Sequence, residues 1–119
     1  MSTPNPTALT LHQRSRTLEI AFDDGQSFHL PFEFLRVHSP SAEVRGHGAG
    51  QEVLQIGKRE ITITALDPVG NYAVQPTFSD GHNSGLYSWT YLHSLGVNQD
   101  RLWQDYLQKL AAAGASRDI

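Results

Sequence analysis

The chain has 119 residues, enough for one hydrophobic core and too few for two. Hydrophobic residues make up 39% and charged residues 18%, a globular balance, and the net charge of −3 gives no electrostatic reason to expect nucleic acid or an anionic membrane. Cysteine is absent, which excludes disulfides, thiolate nucleophiles, cysteine-held iron–sulfur clusters and cysteine-type zinc sites.

The bases are scattered as Arg14, Arg16, Arg36, Arg45, Lys58, Arg59, Arg101, Lys109 and Arg117. This excludes a stripe for polyanions but leaves room for one basic pocket. Residues 1–10 carry Pro4 and Pro6 and no apolar core, so they do not read as a secretory signal. No apolar run approaches the ~20 residues of a membrane span. A cytoplasmic chain is the default expectation.

Residues 1–16, rich in Ser, Thr, Pro and Asn, read as a flexible N-terminal arm. Residues 17–114 read as a single domain and 115–119 as a tail. Leu18, Ile20 and Phe22 alternate with polar or small residues, the period of a half-buried strand. Asp23-Asp24-Gly25 supplies a turn, and Phe28 and Leu30 resume the alternation, predicting a β-hairpin over 17–30. Pro31 suits the start of a helix and Pro40 would stop it, predicting about two turns over 31–39. The glycines of Gly46-His47-Gly48-Ala49-Gly50 predict a loop. Val53 to Ile56 reads as a short strand, and Ile61, Ile63 and Ala65 as a second. Asp67-Pro68-Val69-Gly70-Asn71 is a turn signal, after which Tyr72, Val74 and Phe78 face one way, with Pro76 at an edge or bulge. A helix follows over 87–95, ending at Gly96. Asn98 can cap a last helix with the stripe Leu102, Trp103, Tyr106, Leu107, Leu110, ended by Gly114. The apolar faces of Ile61/Ile63 and of Leu102/Tyr106/Leu110 are expected to meet. The fold class is α+β: a small two-unit antiparallel β domain with C-terminal helices.

Six histidines invite a metal reading. His38, His47 and His82 sit in or beside loops, and Asp80 or Glu43 could add an oxygen for iron or zinc. No H-x-x-x-H, H-E-x-x-H or H-x-D spacing occurs, so surface or hydrogen-bonding histidines are the plainer reading. Ser39 or Ser41 with His82 and Asp80 could be drawn as a hydrolytic triad, but no nucleophile elbow is present. The glycine run leads toward a strand, not a helix, and is no phosphate cradle.

Two segments are richer in polar groups than structure requires: Leu35 to Gly48 and Phe78 to Trp89. One reading is capping, with Ser39 or Ser41 bonding local amides and Ser84 or Ser88 starting the helix that carries Trp89. The other is a recognition surface formed by both loops together. Its candidate residues are Arg36, His38, Ser39, Ser41, Arg45, His47, Asp80, His82, Ser84, Tyr87 and Trp89. Arg36 and Arg45 would anchor an anionic group, and Tyr87 or Trp89 would supply aromatic contact.

The run L-R-V-H-S-P-S-A-E-V-R-G-H-G, joined to F-S-D-G-H-N-S-G-L-Y-S-W-T-Y-L, resembles the gamma-butyrobetaine hydroxylase-like N-terminal domain family over 17 to about 109. The resemblance implies a small β-rich, non-catalytic domain that in the hydroxylases precedes a separate oxygenase domain and is associated with dimer packing and substrate approach. There it holds zinc through three cysteines and one histidine. Similar domains also stand alone in bacteria or are fused to scaffold proteins of iron–sulfur cluster assembly. By position, the cysteine places fall at Ser39, Ser41 and Val44, and the histidine at His82. Three of four ligands are therefore lost, and no zinc or other cofactor is expected there. The oxygenase chemistry does not transfer, because the catalytic domain and its H-x-D motif are absent.

The expectation is thus a non-enzymatic accessory module binding a protein partner or a small ligand, with a homodimer conceivable. The alternative is a metal-binding protein accessory to iron or iron–sulfur handling, using His38, His47, His82 and Asp80.

Overall fold

The computed structural model describes residues 4–46 and 52–118. The chain runs β1 (Pro6–His12), β2 (Thr17–Phe22), β3 (Ser27–Pro31), α1 (Phe32–Val37), α2 (Ala42–Arg45), β4 (Ile63–Val69), β5 (Ala73–Phe78), β6 (Tyr87–Ser88), α3 (Trp89–Val97) and α4 (Gln99–Ala113). The strands form two antiparallel sheets, ordered β1-β2-β3 and β4-β5-β6. The α+β class and its two β units are as the sequence predicts. Among the described residues, no helix is long and apolar enough to cross a membrane.

The predicted hairpin is β2–β3. Its register sets Leu18 opposite Leu30 and Ile20 opposite Phe28, so alternate residues enter the core. Gly25, at φ 85°, makes the turn, and the Asp24 Oδ1 accepts the Gln26 amide at 2.9 Å. The flexible arm is corrected: Pro6–His12 is a strand paired along β2 from Pro6↔Phe22 to His12↔Thr17. Leu9 and Leu11 pack against the core while Thr10 and His12 lie on the other face. Two apolar residues are too few to reveal a strand by period. The backbone of β2 supplies the rest.

Val53 to Ile56 is also corrected, because it forms no strand. Val53 and Ile56 are exposed. The segment is held instead by the Val53 amide on the Val44 carbonyl and by the Tyr106 hydroxyl on the Gln55 carbonyl. Leu54 packs against the cluster of Val37, Tyr106 and Leu110 instead of pairing in a sheet. β4 runs through Pro68 to Val69, so the turn is narrower than predicted. Pro68 is tolerated because β4 is an edge strand. Tyr72 is exposed rather than facing inward with Val74 and Phe78. Tyr87 and Ser88 form β6 before α3 begins, and α3 continues through Gly96 to Val97.

The main core joins both sheets through Leu18, Ile20, Leu30, Phe32, Ile63, Phe78 and Tyr87. A second cluster of Val37, Tyr106 and Leu110 seats α4. Of the α4 stripe expected to meet Ile61 and Ile63, Leu102 packs against the main cluster that holds them, while Tyr106 and Leu110 join Val37 in the second, and Trp103 touches both. The tail is docked. Arg117 makes two hydrogen bonds to the buried Glu33 carboxylate at 2.8 and 2.6 Å and lies over the Trp103 ring.

Candidate functional site

α1 ends at His38, and the chain turns through Ser39, Pro40 and Ser41 into the single turn of α2. The loop after β5 brings Asp80 to Gly85 against this turn. The two polar segments singled out in the sequence therefore meet, and the Ser39 and His82 that join them are 43 positions apart in the chain.

Their junction is a chain of hydrogen bonds. Ser39 Oγ lies 2.8 Å from His82 Nε2, and His82 Nδ1 lies 3.1 Å from Glu43 Oε2. With the Nδ1 proton given to the carboxylate, Nε2 accepts from the Ser39 hydroxyl. Burial lowers the His82 pKa, helped by the Arg36 charge and opposed by Glu43, which favours this neutral tautomer. The Ser41 and Ser84 hydroxyls bond each other at 2.7 Å, and Ser41 caps α2 by accepting the Glu43 amide at 3.2 Å. Ser88 caps α3 through the Tyr91 amide at 3.1 Å.

Below this chain, Asp80 receives Arg36 Nε at 3.0 Å, Lys58 Nζ at 2.7 Å and the His82 amide at 3.1 Å. Burial alone would raise the Asp80 pKa. The Lys58 and His82 hydrogen bonds and the Arg36 charge outweigh it and lower the value to about 2. The buried Tyr87 hydroxyl donates to the Leu35 carbonyl at 2.5 Å, its pKa pushed well up by burial.

Arg36, Ser39, Ser41, His82 and Tyr87 are all buried, Ser39 with 0% exposure. Arg36 bonds Asp80, Ser39 bonds His82, Ser41 bonds Ser84, and the Tyr87 hydroxyl is turned to the Leu35 carbonyl. Trp89 is half-buried, its indole N–H given to the Asn71 carbonyl at 2.8 Å. His38 turns Nδ1 to the Phe34 carbonyl at 2.9 Å and packs on the Phe34 ring. Arg45 and Ser84 stay exposed, and His47 lies outside the described residues. Of the metal set read from the sequence, His82 and Glu43 lie 3.1 Å apart, while His38 turns to the Phe34 carbonyl and Asp80 to Arg36 and Lys58. Among the described residues, the cluster of three ligating side chains is His12, Glu19 and His29.

The positions equivalent to the zinc cysteines do not fit zinc. Serine hydroxyls replace two thiolates, Val44 is a buried aliphatic, and His82 Nε2 is engaged by Ser39. Hydrogen bonds join the two loops here.

Beside this junction, a groove of about 600 Å³ opens between α1–α2 and α3–α4, with Arg45, Tyr91, Ser94, Arg101 and Lys109 among its lining. Arg45 donates to the Tyr91 hydroxyl at 2.6 Å and its guanidinium lies over that ring. The Tyr91 hydroxyl donates in turn to the His38 carbonyl at 2.5 Å. Sequence spacing carries no signal for Lys58 on Asp80 or Tyr91 under Arg45. Both pairings exist only because the loops converge.

Two solution NMR structures are similar to this chain. One is 50% identical with a TM-score of 0.85, covering 98% of this chain and 92% of the other. The second is 55% identical with a TM-score of 0.84, covering 98% and 86%. A crystal structure of a protein of unknown function from the DUF971 family of Acidithiobacillus ferrooxidans ATCC 23270 is 37% identical, with a TM-score of 0.65 over 77% of this chain and 92% of that one. No curated protein matches the chain. The family model described as gamma-butyrobetaine hydroxylase-like, N-terminal matches residues 9–93, and the chain belongs to that family.

Proposed function

We propose that this domain is a non-catalytic binding module whose contact surface is the groove between α2 and the C-terminal helices. The observation that carries this reading is the division of labour at the loop junction. Ser39, His82 and Glu43 stand in the order of a hydrolytic triad, yet Ser39 has 0% exposure. A nucleophile must reach a substrate carbonyl, and this hydroxyl faces only its own neighbours. The junction is a brace, and it presents the groove.

The groove offers an aromatic face at Tyr91 and three cations, Arg45, Arg101 and Lys109, against two carboxylates, Glu52 and Asp105, the latter 3.6 Å from Arg101. This combination suits a carboxylate-bearing ligand or an acidic segment of a protein partner. Arg45 takes the role that the sequence divided between Arg36 and Arg45.

The test is an amide-resolved NMR titration of the full chain with a glutamate-rich peptide and with small dicarboxylates. Saturable shifts confined to α2, α3 and α4, abolished in Arg45→Ala with the spectrum otherwise intact, support the reading. Shifts that are absent, or that Arg45→Ala leaves unchanged, overturn it.

A further inference from the structure

The outer face of the first sheet carries a second cluster, remote from the loop junction in the fold. β2 alternates its side chains, so Leu18 and Ile20 enter the core and Glu19 points away from it. The register sets Glu19 directly opposite His29 on β3. On β1, His12 pairs with Thr17, two residues before Glu19, which makes His12 the diagonal neighbour of Glu19 on the same face. Three adjacent strands thus each contribute one ligating side chain to one spot.

The distances are those of a site. His12 Nε2 lies 2.7 Å from Glu19 Oε1, and His29 Nε2 lies 3.6 Å from the same oxygen. The three ligand atoms all lie within 4.8 Å of one another. Tetrahedral coordination with bonds of about 2.0–2.1 Å needs ligand atoms about 3.3 Å apart, so small rotations about side-chain bonds close the set. Side-chain exposures of 41%, 42% and 61% for His12, Glu19 and His29 leave solvent a path to the centre.

We propose that His12, Glu19 and His29 form a surface site for a divalent transition-metal ion of the zinc class. Two imidazole nitrogens and one carboxylate oxygen suit zinc, nickel, copper or iron(II) and leave the remaining positions to water or an incoming ligand. Magnesium and calcium, which take oxygen ligands, do not compete. The site owes nothing to the cysteine positions of the family, and it does not depend on the groove. It rests on strand register: a slip of one residue in β2 would turn Glu19 into the core and dissolve the cluster.

The experiment is a zinc titration of the full, untagged chain followed by histidine-ring NMR and calorimetry, with magnesium as the control ion. One equivalent of zinc should shift the rings of His12 and His29 and leave those of His38 and His82 in place. His29→Ala and Glu19→Gln should each weaken binding by about tenfold or more, since even losing an outer-shell partner of a metal ligand costs about that much. Both side chains are on the outer face, so the amide spectrum should confirm an unchanged fold. Zinc binding that is unsaturable, that shifts other histidines instead, or that persists undiminished in His29→Ala and Glu19→Gln overturns the proposal.

Discussion

The molecule holds two histidine–carboxylate pairs of nearly equal length in opposite settings. At the loop junction, His82 and Glu43 are 3.1 Å apart, the histidine side chain only 3% exposed. On the first sheet, His12 and Glu19 are 2.7 Å apart with both side chains more than 40% exposed. The buried histidine has both ring nitrogens engaged by protein and a pKa lowered by burial. The exposed pair stands beside a third potential ligand and open solvent. Burial, rather than residue type, decides which histidine braces the fold and which can meet something from outside.

The sharpest way to break this contrast is to remove a member of the buried network. Asp80→Ala strips Arg36 of its carboxylate partner while the guanidinium stays buried, and Arg36 Nη1 has no hydrogen-bond partner among the described residues as it is. Uncompensated buried charge costs about 3–5 kcal/mol, and urea unfolding should show a loss of that order. A change below about 1 kcal/mol would mean that solvent reaches the guanidinium and compensates its charge.

Gly85→Ala tests how tightly the loops are joined. A Cβ there would lie 2.5 Å from Ser39 Oγ and 3.2 Å from the Tyr87 ring. Overpacking of this kind costs about 1–3 kcal/mol. Chemical denaturation should register it together with altered Ser39 and His82 resonances. A neutral outcome would show that the junction can open.

Acidification separates the pairs more gently. The pKa values of His38 and His82 are lowered from 6.5 in the folded state, each chiefly by burial. The unfolded chain therefore takes up protons first. Their contribution to stability is complete above pH 6.5 and is lost as pH falls below it toward the folded values. Asp80 acts lower on the scale: its pKa falls from 3.8 to about 2, so its contribution is present above 3.8 and lost as pH falls through 2. Unfolding midpoints measured from pH 8 downward should decline in those two windows. A midpoint that rises between pH 7 and 5 would mean that the imidazolium forms are favoured by the fold.

The smallest effect belongs to the exposed face. His29→Ala should leave the unfolding midpoint in metal-free buffer unchanged, because the side chain is largely solvated and its contact to Glu19 is 3.6 Å. A destabilisation comparable to Gly85→Ala would show that the outer cluster braces the sheet as the buried one braces the loops.

Much of this molecule was legible in the chain. Alternation at Leu18, Ile20 and Phe22, the Asp-Asp-Gly turn and the 3.6-residue stripe of α4 are local patterns, and local backbone preference plus the burial of one face is enough to specify them. The two polar segments were read as one recognition surface, and they do meet, but Arg36, Ser39, Ser41, His82 and Tyr87 are buried where they do.

What the sequence determined by itself was therefore the class, the elements with a strong period, and the absence of thiolate chemistry. Tertiary structure alone decided the rest. β1 is a strand because β2 offers it a backbone edge, a partner that residues 6–12 do not encode. Ser39, His82 and Glu43 form a closed brace because two loops some forty residues apart dock and exclude water. His12, Glu19 and His29 share a face because register across three strands puts them there. Periodicity is a property of neighbours in the chain, whereas burial and convergence belong to neighbours in space, and only the second kind turns a histidine into a strut or a ligand.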